Sequence, residues 1–152
     1  MRTIGLHSCI IALAAVALLT SCDPVSSVEY TIRNLTDDTV TVDMYREILT
    51  SSYQGFDVVL NDSVAIHYGL QDSIRVATLA PNQLMRAQYV WDGIYREERV
   101  VPMWKYIKSI AVGDNELSPE AWNNEQAWHL KKTGGGMGEG ETRNYDLNLR
   151  GK

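Results

Sequence analysis

Apolar and polar residues alternate along most of the chain after residue 27. In the first such run, Val28, Tyr30 and Ile32 fall on one side of an extended segment, and polar residues fall on the other. A period of two is typical of a strand with one buried and one solvated face. Runs of the same kind recur to residue 149, separated by turn-forming residues. The pattern predicts eight or nine short strands.

The runs differ in how they are expected to pair. Residues 28–33 and 40–44 are joined by a turn-rich pentapeptide, so we predict a hairpin. Residues 94–101 are more polar and precede Pro102, which favours an edge strand. Within 104–112 the parity of Ile107 is reversed, which predicts a bulge or a two-sided strand. Residues 126–131 and 143–149 are predicted to form a closing hairpin.

Two segments are expected to be other than strand. Ser118, Pro119 and Glu120 supply a cap, a first-position proline and a first-turn acid, so one short helical turn through Trp122 is predicted. The glycine-rich residues 133–140 lack the lysine and hydroxyl residue of a phosphate loop and are predicted to be a hairpin loop. So many strands with so little helix predict an all-β domain over residues 28–152, an antiparallel immunoglobulin-like β-sandwich of about eight strands.

The first 21 residues have a different organisation. Arg2 is followed by an apolar stretch at 9–19 and by small residues, which are the three zones of a bacterial secretion signal. The apolar stretch is shorter than the roughly 20 residues of a membrane-spanning helix. We therefore predict that residues 1–21 are a signal peptide.

The four residues Leu19-Thr20-Ser21-Cys22 resemble the bacterial lipobox. The resemblance implies that Cys22 is joined to a diacylglycerol, that the signal is cut before it, and that the new amine receives a fatty acid such as palmitate. Several acyl chains are needed because one chain anchors only reversibly. Residues 22–27 are then a lipidated tether. The alternative is an ordinary secretory signal that contains a cysteine.

The order of sequence features along the whole chain is a second point of resemblance to known proteins. A lipobox, a strand-rich body, the turn at Ser118-Pro119 and a closing hairpin from Trp128 to Tyr145 are similar to many small uncharacterised lipoproteins of Bacteroidetes. The resemblance implies a β-sandwich in the cell envelope, lipid-anchored in the outer membrane. It leaves open whether the domain faces the periplasm or the outside, and it implies no activity.

The cysteine content and the net charge limit the kinds of site and partner that we expect for this protein. Cys9 lies in the signal and Cys22 at the proposed anchor, so the exported part has no cysteines for a disulfide or a thiolate zinc site. The chain has 14 Lys and Arg against 19 Asp and Glu, a net charge of −5. Nucleic acid is therefore not expected as a partner, since its binding depends on cations.

No catalytic residue, metal site or cofactor is predicted. His67 and His129 lie in separate strands and have no metal-ligand spacing. Glu97 and Glu98 are adjacent, so on a strand they would point to opposite faces instead of converging as an acid–base pair.

Aromatic and hydroxyl residues supply the remaining candidates. Most of the four tryptophans and eight tyrosines have the apolar parity of a strand and are predicted to be core, whereas Tyr53 and Trp122 are predicted to be exposed contacts. Three places read acid, hydroxyl, branched aliphatic and resemble the O-glycosylation motif of exported Bacteroidetes proteins; their acceptors would be Thr39, Ser63 and Ser73. Local turn chemistry explains the same recurrence.

Three hypotheses for function follow. The first is a lipid-anchored cell-envelope protein with a non-catalytic binding or structural domain for a protein or glycan ligand. The second is an envelope hydrolase or metal-dependent enzyme. The third is a component of a fimbria-like surface assembly.

Overall fold

The computed structural model describes residues 24–45, 55–60, 63–69, 76–97, 100–136 and 139–151. Ten strands lie within these residues. They are β1 Val25–Leu35, β2 Val40–Met44, β3 Gly55–Leu60, β4 Ser63–Gly69, β5 Val76–Leu79, β6 Leu84–Asp92, β7 Ile107–Val112, β8 Asn115–Glu116, β9 His129–Gly134 and β10 Glu141–Arg150. Short 3-10 helices occupy Met103–Lys105, Pro119–Ala121 and Glu125–Ala127.

The strands form two sheets. The larger has six strands in the order β4-β3-β6-β1-β10-β9, and the smaller has four in the order β5-β2-β7-β8. Neighbouring strands are antiparallel except for β1 and β10, which are parallel and bring the two ends of the domain together. The prediction of an all-β sandwich is confirmed. The structure differs from the prediction in having ten described strands instead of about eight and in the parallel pairing of β1 with β10.

Alternating burial explains why these segments form strands. In β2, Val40, Val42 and Met44 are fully buried and the residues between them are not. The other core strands contribute apolar side chains in the same way. The fully buried side chains of the core include Val28, Ile32, Val40, Val42, Met44, Leu79, Met85, Ile107 and Ile110.

Aromatic side chains extend this core beyond the smaller sheet. The rings of Tyr30 and Tyr145 stack with centroids 4.8 Å apart, and Trp104 and Trp128 meet Tyr30 edge-on. Trp91, Trp104 and Trp128 are each at most 8% exposed. The prediction that most of these aromatic residues are core is confirmed for the described residues.

The predicted hairpin of residues 28–33 and 40–44 is wrong, because β1 and β2 lie in different sheets. The turn between them is a corner held by Asn34, whose side-chain amide donates to the carbonyls of Asp38 and Leu79 at 2.8 and 3.0 Å. Leu79 belongs to β5 of the smaller sheet. The corner therefore carries the chain from one sheet to the other.

The predicted edge strand at 94–101 is also wrong. Its described residues lie outside the strands, and the indole N–H of Trp91 donates to the carbonyl of Ile94 at 3.3 Å. Tyr95 packs its ring against Trp91, and Val100 is 8% exposed. The segment is thus a loop that covers the aromatic end of the core.

Four further expectations can be compared with the strands and turns. A register shift opposite Asp43 and Met44 places an irregularity in the pairing with β7, as the reversed parity of Ile107 predicted. The helical turn at Pro119–Ala121 and the pairing of β9 with β10 in a closing hairpin are also confirmed. The first strand of this hairpin begins at His129 and not at residue 126, because Glu125–Ala127 is a 3-10 helix. Residues 25–27, predicted to be tether, instead belong to β1.

A polar groove as the candidate functional site

The outer face of the six-stranded sheet carries an open groove of about 340 Å³. Its centre is β1, where Glu29, Thr31 and Arg33 alternate with core residues and so point away from the smaller sheet. The neighbouring strands complete the lining. The remaining lining residues are Leu84 and Arg86 of β6, Asn144 and Asp146 of β10, and Lys131 of β9. The groove therefore crosses four adjacent strands.

Strand register explains the shape of the groove. Thr31 lies opposite Arg86 on one side and Asp146 on the other. Side chains in directly opposite positions have Cβ atoms about 5 Å apart. Thr31 is short and only 6% exposed, so it forms the floor, while its longer neighbours form the walls.

Glu29 is a partly buried acid of the groove. Burial raises the pKa of this carboxyl; Arg86 opposes the rise and the Asp146 carboxylate adds to it. The Arg86 Nε lies 3.9 Å from the Glu29 carboxylate, and the two side chains are 38% and 27% exposed. Glu29 consequently holds a proton to higher pH than an ordinary glutamate and can then donate as well as accept a hydrogen bond.

The lining chemistry suits a polar, uncharged or mixed-charge ligand. Glu29 and Asp146 offer acceptors, Arg86 and Lys131 offer donors, and Asn144 offers both. Among the described residues, no three His, Cys, Asp or Glu side chains are grouped so that they could hold a metal ion. The groove can thus form many hydrogen bonds over a small area.

The structure does not bring the two histidines of the sheet together. His67 is in β4 and His129 in β9, and these strands are the opposite edges of the six-stranded sheet. Five strand spacings separate the edges, or about 24 Å. His129 of β9 lies opposite Asp146 of β10 in the strand register, and it therefore lies beside the groove.

The prediction that Trp122 is exposed is wrong, because its side chain is 3% exposed. The turn at Pro119–Ala121 directs the ring inward, where it belongs to the core. Its carbonyl accepts a hydrogen bond from the indole N–H of Trp128 at 2.8 Å. A turn at the border of the core cannot be distinguished by sequence from a turn at the surface, which is why the prediction fails.

The other predicted site residues divide into two groups. Thr39, just before β2, and Ser63, the first residue of β4, are exposed, and their glycosylation stays a prediction. Cys22, Tyr53 and Ser73 lie outside the described residues.

None of the groove residues stands out in the sequence. Their only signal is the outward parity of polar residues on the runs that contain Glu29 and Asp146. That parity says nothing about which strands are neighbours. The parallel pairing of β1 with β10, which joins the two ends of the domain, is what makes these residues one site.

Comparisons with known proteins give no family or fold assignment. No protein-family model, curated protein or solved structure matches the chain. Within the part of the chain that the structure describes, no helix has both the length and the apolar character needed to cross a membrane.

Proposed function

We propose that this chain is a lipid-anchored protein of the bacterial cell envelope, placed in the outer membrane by acyl chains on Cys22. The lipobox at residues 19–22 supports the anchor. We further assign the sandwich to the immunoglobulin-like type, with the pairing of its first and last strands in support.

The domain's role in this proposal is to bind a glycan in the groove, without catalysis. The observation that supports it is the convergence of acceptor, donor and amide side chains from four strands on one cavity of about 340 Å³. Cavities of this size hold small ligands, and sugar hydroxyls are matched by carboxylate, amide and guanidinium groups.

The anchor is tested by fractionating cells that produce the full chain. Cys22→Ala should move the protein from the membrane to the soluble fraction, and Cys9→Ala is the matched control because it removes the other cysteine. Globomycin should block processing of the wild type. Unchanged membrane association of Cys22→Ala, or an unmodified thiol by intact mass, would contradict the proposal.

Glycan binding is tested on an array of bacterial and host glycans with the processed protein. Asp146→Asn should weaken binding about tenfold, because a carboxylate acceptor is lost from the groove. Asp43→Asn is the control, since Asp43 pairs with Lys108 on the smaller sheet, outside the groove. Equal effects of the two changes, or binding to no glycan, would contradict the proposal.

A further inference from the structure

The start of β1 is fixed firmly to the body of the domain. The carbonyl of Pro24 accepts a hydrogen bond from the Gly93 N–H at 2.5 Å. The hydroxyl of Ser26 donates to the carbonyl of Gly93 at 2.7 Å and accepts from the Glu141 N–H at 3.1 Å. The chain is therefore held from its first described residue.

This attachment leaves only Asp23 between Cys22 and Pro24, the first residue that is held. Cys22 is two residues before Pro24, and an extended chain spans at most about 3.6 Å per residue. The Cα atom of Cys22 thus lies within about 7 Å of that of Pro24. Acyl chains on Cys22 would bring this end of the sandwich against the bilayer.

The same end exposes apolar side chains. Ile94 is 61% exposed, the highest value among the large apolar side chains described, Val25 is 53% exposed and Val90 is 38% exposed. Val25 and Val90 are diagonal neighbours, because Val25 pairs with Asp92 and Ser27 pairs with Val90. Ile94 follows Gly93 in the turn that holds Pro24. We name Val25, Val90 and Ile94 the anchor-end patch.

On the outer face of the sheet, Val25 and Val90 lie nearer the anchor end of the strands than the groove does. Val25 comes first, with Asp92 opposite it; Val90 is level with the hydroxyl residues Ser27 and Thr142, and the groove begins at Glu29. Glu29 is four residues beyond Val25, or about 14 Å along an extended strand. The exposed valines are therefore near the proposed anchor, and the groove is farther from it.

We propose that the anchor-end patch lies in the interfacial layer of the phospholipid bilayer and holds the domain upright, with the groove directed away from the membrane. This inference rests on the lipid anchor of the proposed function. Three apolar side chains bind a membrane weakly by themselves, but the anchor makes their contact intramolecular and so raises its effective concentration. The carboxylate of Asp92, exposed beside Val25, lies among the headgroups.

The test uses the lipidated, processed protein in vesicles of phosphatidylethanolamine and phosphatidylglycerol. Processing removes Cys9 and converts the Cys22 thiol to a thioether, so an introduced cysteine is the only free thiol. Ile94→Cys is labelled with an environment-sensitive fluorophore. Asp114→Cys is the control: it is exposed, and its neighbour Gly113 donates to the carbonyl of Thr39 at the other end of the sandwich.

The label at residue 94 should shift its emission to the blue in vesicles and lose emission when lipids carry a shallow spin-label quencher. The label at residue 114 should show neither change. Flotation of the vesicles reports the anchor separately. Flotation with equal signals at both positions overturns this inference and leaves the anchor intact, whereas failure of both variants to float overturns the proposed anchor and this inference with it.

Discussion

At the scale of single residues, Gly140 is required by the close approach of two backbones. A Cβ atom added there would lie 1.7 Å from the carbonyl oxygen of Val25. Because the obstacle is backbone, it cannot move aside as a flexible side chain would. Gly140→Ala should therefore lower the free energy of unfolding by about 1–3 kcal/mol.

Urea unfolding of the two proteins measures that loss as a lower midpoint. Gly151→Ala is the matched control, since an added Cβ at that position has no atom within 4 Å. If Gly140→Ala and Gly151→Ala unfold at the same urea concentration, the close approach of residue 140 to β1 is contradicted.

Glu29 links the chemistry of the groove to pH. Its pKa in the folded protein is raised from the ordinary 4.5, mainly by burial, so the folded state binds the proton more tightly than the unfolded state does. The resulting stability is fully present below the unfolded pKa and is lost as pH rises through the folded pKa. Glu29→Gln, which resembles the protonated acid, should therefore gain stability relative to the wild type as pH rises.

Urea unfolding at about pH 4 and about pH 7 checks the sign of this effect. The difference in unfolding free energy, variant minus wild type, should be more positive at the higher pH. Glu116→Gln, at an exposed position of β8, is the control and should show a smaller change. A difference that becomes more negative with pH would mean that Arg86 dominates over burial.

At the scale of strands, the sequence predicts which residues are buried better than it predicts which strands are partners. Alternation placed Val28 and Val40 in the core, and both are fully buried. Proximity along the chain then favoured a hairpin, but β1 pairs with β6 and β10. Alternation reports only the face of a strand, and here the deciding contact comes from Asn34, which binds Leu79, 45 residues away.

Asn34 should accordingly be the most sensitive polar residue of this corner. Its side chain is fully buried, donates to Asp38 and Leu79, and accepts from the N–H and hydroxyl of Thr36. Asn34→Ala removes the amide donor to the Leu79 and Asp38 carbonyls and the acceptor of the Thr36 N–H, while the Thr36 hydroxyl still donates to the Asp38 carbonyl. The change should lower the free energy of unfolding by about 3 kcal/mol. Thermal and urea unfolding measure the loss.

Asn148→Ala provides the comparison on the same sheet, because Asn148 is exposed on β10. It should change the unfolding free energy by less than about 0.5 kcal/mol. Equal losses for Asn34→Ala and Asn148→Ala would contradict the role of Asn34 as the link between the sheets.

At the scale of the whole molecule, the two sheets differ in size, and this difference explains the positions of Trp104 and Trp128. A sheet of six strands faces a sheet of four. Tyr30 and Tyr145 lie on the larger sheet, and they contact the rings of Trp104 and Trp128, which come from segments outside the strands. The sequence indicated buried aromatic residues but gave no signal for this arrangement. The reason is that the covering rings come from the 3-10 helix Met103–Lys105 and from the residue after Glu125–Ala127, which lie outside the strands and have no period of two.

Because loops and strands share one aromatic core, the domain should unfold as a single cooperative unit. Trp91, Trp104, Trp122 and Trp128 are 3–8% exposed, so tryptophan fluorescence reports the packing of loops onto the larger sheet. Far-ultraviolet circular dichroism reports the strands themselves. The two signals should give coincident urea transitions. A fluorescence transition at lower urea would show that the covering segments detach first and that the strands are stable without them.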